Sequence, residues 1–228
     1  MKRRNTIIRK IGWAAWLAVA TAAAVLAGEA TPAPKPLYQN DFEQAVVGKL
    51  PDDFMALNGE FAVKEEGGNK FLELPGSPLD TFSVQFGPAE TAGVAVSARV
   101  FGTAKGRRYP TFGVGLNGVS GYTLRVAPGR KAVELVKDDE VLASVPFAWK
   151  PGTWTLLRLQ SRKVKDGEWQ MQGKAWTQGA AEPAQWQVGC EAKTEPPEGR
   201  ASVLGSPFSG TPIRFDDLTV SRVAQGAQ

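Results

Sequence analysis

Between Trp149 and Trp186 the chain reads WKPGTWTLLRLQSRKVKDGEWQMQGKAWTQGAAEPAQW and holds five of its seven tryptophans. In a strand, successive side chains point to opposite faces. Over residues 169–177 that rule puts Gln170, Gln172, Lys174 and Trp176 on one face and Trp169, Met171, Gly173 and Ala175 on the other. Amides and a cation hydrogen-bond to hydroxyls, and an indole stacks on the apolar side of a sugar ring, so the first face has the chemistry of a carbohydrate-binding surface. Neighbouring stretches add cations by the same rule: Arg99 in 93–101, Arg125 in 121–127 and Arg158 in 154–161. If these strands share a sheet, Arg99, Arg125, Arg158 and Lys174 line one outer surface. Guanidinium groups there bind carboxylate or sulfate bidentately, which places acidic polysaccharide among the candidate ligands. The competing reading is that any half-exposed antiparallel sheet turns polar residues outward, with Arg and Lys stems covering it.

Residues for bond-breaking are sparse. Glycoside hydrolysis takes two carboxylates about 5 to 9.5 Å apart. One strand can present such a pair as Glu-x-Asp-x-x-Glu, and that spacing does not occur in this chain. Asp138, Asp139 and Glu140 form the nearest acidic cluster, but they fall between two β-forming runs where a hairpin turn is expected. Elimination from an acidic sugar takes a general base, Tyr, His or Lys, beside cations that neutralise the uronate. The chain has no histidine. Tyr122 falls on the apolar face of its strand, and the basic loop Lys105-Gly106-Arg107-Arg108-Tyr109 fits an acidic sugar or an ordinary solvated loop. Cys190 is the only cysteine, so no internal disulfide forms, and the thiol reads as a small buried hydrophobe. The leading expectation is a non-catalytic domain that binds polysaccharide or another glycan. The alternatives are a polysaccharide-active enzyme (a lyase or divergent glycoside hydrolase) and a structural adhesion domain that binds protein.

These residues need a scaffold, and the first 28 residues are not part of it. Lys2, Arg3, Arg4, Arg9 and Lys10 precede an apolar run that ends at Val25-Leu26-Ala27, the pattern of a secretory signal peptide cleaved after Ala27. The expected destination is the periplasm, the cell envelope or the exterior, with no membrane insertion after cleavage. An uncleaved anchor is the rival, although the run is short and Ala-rich for a spanning helix of about 20 residues. Without this segment 22 basic residues face 23 acidic ones, a net of −1, so nucleic acid loses its support as a partner. Residues 29–36, containing TPAPKP, read as an extended linker. Residues 37–223 read as one domain, expected to be a monomer, and 224–228 as a tail. Alternating β-forming runs are expected at 37–42, 54–57, 60–63, 70–74, 83–86, 93–101 and 111–117. They continue at 121–127, 132–137, 140–145, 154–161, 169–177, 201–204 and 213–222. No segment carries a helical period, and short strands so regularly spaced indicate an all-β sandwich or barrel.

The order of several motifs adds a resemblance. Asn40-Asp41-Phe42-Glu43, Gly48-x-Leu50-Pro51, Gly68-Asn69-Lys70-x-Leu72, Gly113-x-Gly115, Gly121-Tyr122-x-Leu124, Pro151-Gly152-x-Trp154 and Ile213-x-Phe215-Asp216-Asp217-Leu218-x-Val220 follow one another along the chain. Together they resemble the concanavalin A-like lectin/glucanase superfamily, the laminin-G-like jelly roll, in an exported bacterial branch related to keto-disaccharide hydrolase-like domains. Gly173-Lys174-Ala175-Trp176 with Glu182-Pro183-x-x-Trp186 looks like a signature of one group within it. The resemblance implies two packed antiparallel sheets, a concave face used for carbohydrate, and termini paired in one sheet. It also implies a structural Ca²⁺ where the first and last strands meet, with Glu43 and Asp216 at the carboxylate positions, Asp41 a further candidate and the Gly68-Asn69 loop offering carbonyls.

Overall fold

The computed structural model describes residues 36–223. The signal segment 1–28, the linker up to residue 35 and the tail 224–228 lie outside the described residues. Strands form where β-branched and aromatic residues alternate with polar ones, and Gly, Asn and Asp close them. In chain order they are β1 (Tyr38–Asn40), β2 (Met55–Asn58), β3 (Ala62–Glu66), β4 (Asn69–Leu74), β5 (Phe82–Glu90), β6 (Val94–Phe101), β7 (Thr111–Leu116) and β8 (Tyr122–Ala127). They continue as β9 (Ala132–Lys137), β10 (Glu140–Pro146), β11 (Thr155–Lys165), β12 (Glu168–Thr177), β13 (Val188–Ala192), β14 (Gly199–Ser206) and β15 (Ile213–Arg222). The helical content among the described residues is one 3-10 turn, Pro128–Arg130, and no helix there is long and apolar enough to cross a membrane.

The strands form two antiparallel sheets. The first runs β13-β12-β11-β6-β15-β4-β3, with β1 also paired to β15, and the second runs β10-β9-β8-β7-β14-β5-β2. This is the expected all-β, two-sheet jelly-roll sandwich. Tyr38 lies opposite Val220, so the first and last strands pair as the resemblance implies.

Alternation decides which side of each strand reaches the core. Val94, Val96, Ala98 and Val100 of β6, Leu157 and Leu159 of β11, and Trp169 and Met171 of β12 face inward from the first sheet. Phe112 and Val114 of β7, Leu124 and Val126 of β8, and Val133 and Leu135 of β9 meet them from the second. Each such large side chain contributes about 1.5–3 kcal/mol by leaving water. The sheets approach so closely at Gly173 that a β-carbon there would run into Leu124 Cδ1. One strand has no signal in the sequence pattern. β13 is VGCEA, a glycine and a glutamate within five residues, and it forms because β12 offers an unpaired edge.

Candidate functional site

The two sheets have outer faces of different character. On the first, the cross-strand register aligns Trp176, Leu156, Arg99 and Asp216 in one row and Lys174, Arg158, Ser97 and Thr219 in the next. Arg99, Arg158, Lys174 and Trp176 are thus brought together, with Gln172 and Gln170 in the rows beyond. A groove of about 250 Å³ runs among Trp176, Arg158, Arg99, Glu182 and Asp217.

The cations of this face are already partnered. Arg99 Nη2 lies 2.6 Å from Asp216 Oδ2 and its Nε 2.8 Å from Asp217 Oδ2, while the guanidinium sits 4.7 Å over the Trp154 ring. Arg158 and Lys174 share Glu182 Oε1 at 3.3 and 2.7 Å. Lys174 also donates to the Pro183 carbonyl at 2.9 Å and lies 4.7 Å over the Trp186 ring. The strap 182–186 therefore covers Lys174 and leaves it 8% exposed. Alternation places this lysine on the outer face, and the strap removes it from solvent. Gln172 accepts a hydrogen bond from Gln160, and Gln170 accepts from Arg162. Further along, Arg214 stacks on Phe71 and Phe101, and Phe101 packs against Trp154. The face is laminated by its own side chains.

Arg125 does not belong to it. Between β6 and β7 the chain crosses to the other sheet, where β7 to β10 form a meander. The shared-sheet condition therefore fails for Arg125, which opens onto a different site.

That site is a trough of about 580 Å³ on the outer face of the second sheet. Register aligns Gln85, Ser202, Gly115, Thr123 and Val136 in one row and Ser83, Leu204, Gly113, Arg125 and Glu134 in the next. In β7, beneath this region, Gly113 and Gly115 are buried where neighbours pack close. A β-carbon at Gly113 would meet the Leu124 carbonyl, and one at Gly115 the Ser202 hydroxyl. Hydroxyls of Thr111, Thr123 and Ser206 edge the floor, and Ser206 Oγ shares a 2.7 Å hydrogen bond with Thr81. One wall is the Asp138-Asp139 turn, with φ of 47° and 64° as a two-residue hairpin loop requires. This confirms Asp138 and Asp139 as a turn, with Glu140 as the first residue of β10. Val119 and Phe208 stand out on the rim, Phe208 at 47% exposure.

Beneath the trough lies a buried carboxylate. Glu134 accepts from Arg125 Nε and Nη2 at 3.1 and 2.9 Å and from Arg130 Nε and Nη2 at 2.7 and 2.7 Å. Burial pushes its pKa up, but the hydrogen bonds from Arg130 and Arg125 outweigh that and hold it below the usual carboxylate range. It is an ionised clamp for two arginines rather than a proton donor. The other titratable candidates are placed as follows. Tyr122 is buried in the core, and burial raises its pKa. Tyr109 lies edge-on to Trp149. Burial pushes the Cys190 thiol up.

The three carboxylates expected at a calcium site diverge in environment. Asp216 is fully buried beside Arg99 and Asn69. Glu43 accepts the Lys70 amide at 3.0 Å. Asp41 is exposed and accepts the Glu43 amide at 3.2 Å. Among the described residues no three Asp, Glu or Cys side chains gather as a metal-ligand set.

No protein-family model matches the chain, and no curated protein does. Solved structures match in fold. The carbohydrate-binding module CBM66 from Bacillus subtilis is 10% identical with a TM-score of 0.52, over 74% of this chain and 95% of that one. The carbohydrate recognition domain of Emp46p in its metal-free form is 13% identical with a TM-score of 0.53, over 84% and 99%. A xylan β-1,4-xylosidase from Bacillus halodurans C-125 is 16% identical with a TM-score of 0.54, over 85% of this chain and 41% of the xylosidase. At these identities the likeness establishes the sandwich fold.

Proposed function

We propose that the chain is an exported, non-catalytic domain that binds glycan in the trough on the second sheet, and that the preferred glycan is neutral. The observation that carries the reading is the trough itself. Hydroxyls of Thr111, Thr123 and Ser206 line it, its rim offers Phe208 for stacking, and its size falls within that of ligand sites, about 300–1,000 Å³. Its formal charges cancel: Arg125, Arg130 and Lys137 against Glu134, Asp138 and Asp139, three against three. Such a site offers hydrogen bonds in both senses without a net pull on an anion. The paired cations of the first sheet likewise leave little for an acidic polymer to claim. Two proteins that share the fold are named for carbohydrate binding, which supports the ligand class. Glu134, held ionised between two guanidiniums, does not serve as a proton donor to a ligand in the trough. Export rests on the signal pattern in residues 1–28.

A glycan array with neutral, uronic-acid and sulfated polymers tests the ligand, followed by titration of Phe208→Ala and Trp176→Ala. Neutral polymers are expected to bind, with Phe208→Ala weakening binding roughly two- to tenfold, the value of one stacking contact, and Trp176→Ala leaving it unchanged. The opposite pattern would move the site to the groove of the first sheet. New reducing ends or unsaturated-uronate absorbance would make the protein an enzyme.

A further inference from the structure

We infer that the cation at the junction of the first and last strands is the ammonium of Lys70, and that this corner of the fold binds no calcium. A calcium site needs six to eight oxygens turned toward one point. Here the oxygens that the family resemblance assigns to such a site are turned toward donors of the chain itself. Asp216 Oδ2 accepts from Arg99 Nη2 at 2.6 Å and from Asn69 Nδ2 at 2.9 Å, and its Oδ1 accepts the Asp217 amide at 2.7 Å. Both oxygens of this fully buried carboxylate are taken. Glu43 Oε1 accepts the Lys70 amide, and the Lys70 ammonium donates to the carbonyls of Glu43 at 3.0 Å and Ala45 at 3.2 Å.

The ammonium thus does the work of a bound ion. It gathers two carbonyls of the loop that follows β1 and fastens them to β4, the strand beside β15. An ammonium has three donors and no acceptor, so it fits a nest of carbonyl oxygens and excludes a second cation from it. Charge agrees with this assignment. Two fixed cations, Lys70 and Arg99, already stand among Glu43, Asp216 and Asp217, so a divalent ion would enter against them.

The test needs no variant to begin. The full-length protein is melted in about 10 mM CaCl₂ and in excess chelator, a concentration at or above the weakest extracellular calcium sites. The expected result is the same Tm in both. A site a hundredfold tighter than the ion concentration would raise Tm by about 5–10 °C, and such a rise would overturn the inference. Lys70→Met and Lys70→Arg then separate charge from stem. Lys70→Met is expected to lower Tm by several degrees or to fail to fold, with Lys70→Arg retaining most of the stability. A Lys70→Met protein as stable as the wild type would show that the ammonium fastens nothing, and would equally overturn the assignment.

Discussion

Replacing Glu134 with Gln keeps the shape of the side chain and removes its charge, so it isolates the ionic part of the clamp beneath the trough. Four guanidinium nitrogens converge on this carboxylate at 2.7 to 3.1 Å. A hydrogen bond to a charged group contributes about 1.5–3 kcal/mol, and removing one partner of a buried ion pair costs about 3–5 kcal/mol. Both figures need reduction here. The Arg130 side chain is 59% exposed and that of Arg125 22%, so water and salt screen the pair. Gln also keeps one acceptor oxygen. A net loss of about 2 kcal/mol remains, which lowers Tm by about 4–8 °C in a domain of this size. The arginines depress the folded pKa of Glu134 below the unfolded value of about 4.3. Its stabilisation is therefore complete above about pH 5 and is lost as pH falls through the depressed folded value. Calorimetric melts of the two proteins at about pH 7, 5 and 3 read the effect, with the gap widest at neutral pH and closing in acid. Equal Tm values at neutral pH would refute the clamp. A gap that persists undiminished in acid would refute its ionic origin and leave packing as the cause.

Two further substitutions probe the scaffold. Gly173→Ala drives a β-carbon into Leu124 across the sandwich and is expected to destabilise by about 1–3 kcal/mol, read as a lower urea midpoint at unchanged slope. Lys174→Met keeps the buried stem but removes the bonds to Glu182 and Pro183. It is expected to cost about 1.5–3 kcal/mol and to speed amide exchange in 182–186 ahead of the rest of the chain, and a strap as protected as in the wild type would show that Lys174 does not hold it.

Much of the scaffold was legible because alternation is a local property. Val94, Val96, Ala98 and Val100 read as one apolar face and are one, and Trp169 turns inward with Met171. What alternation does not carry is the identity of the neighbouring strand. Arg125 alternates just as Arg99 and Arg158 do, yet the 102–110 crossing puts it on the opposite sheet. The state of Lys174 was hidden for a related reason, since its partner Glu182 lies in a loop whose path no periodicity describes. The trough was hardest to see. It joins Thr111 and Thr123 to Leu204 and Ser206, more than eighty positions later in the chain, and no local pattern links them. The period-two spacing of Gly113 and Gly115 inside a strand marks a place where neighbouring groups approach too closely for a side chain.

The cancellation of charge along the trough has a kinetic side. With three fixed charges of each sign, and the cations of the opposite face neutralised in place, little field extends from either surface beyond the first layers of water. A glycan bound there as proposed would not be drawn in from a distance, and its encounters would proceed at the unsteered rate of about 10⁵–10⁶ M⁻¹ s⁻¹. Selectivity then falls to the lifetime of the contact, which the rim and floor set at close range. If the chain is exported and binds glycan as proposed, a surface arranged in this way would hold that ligand equally well in dilute water and in brine.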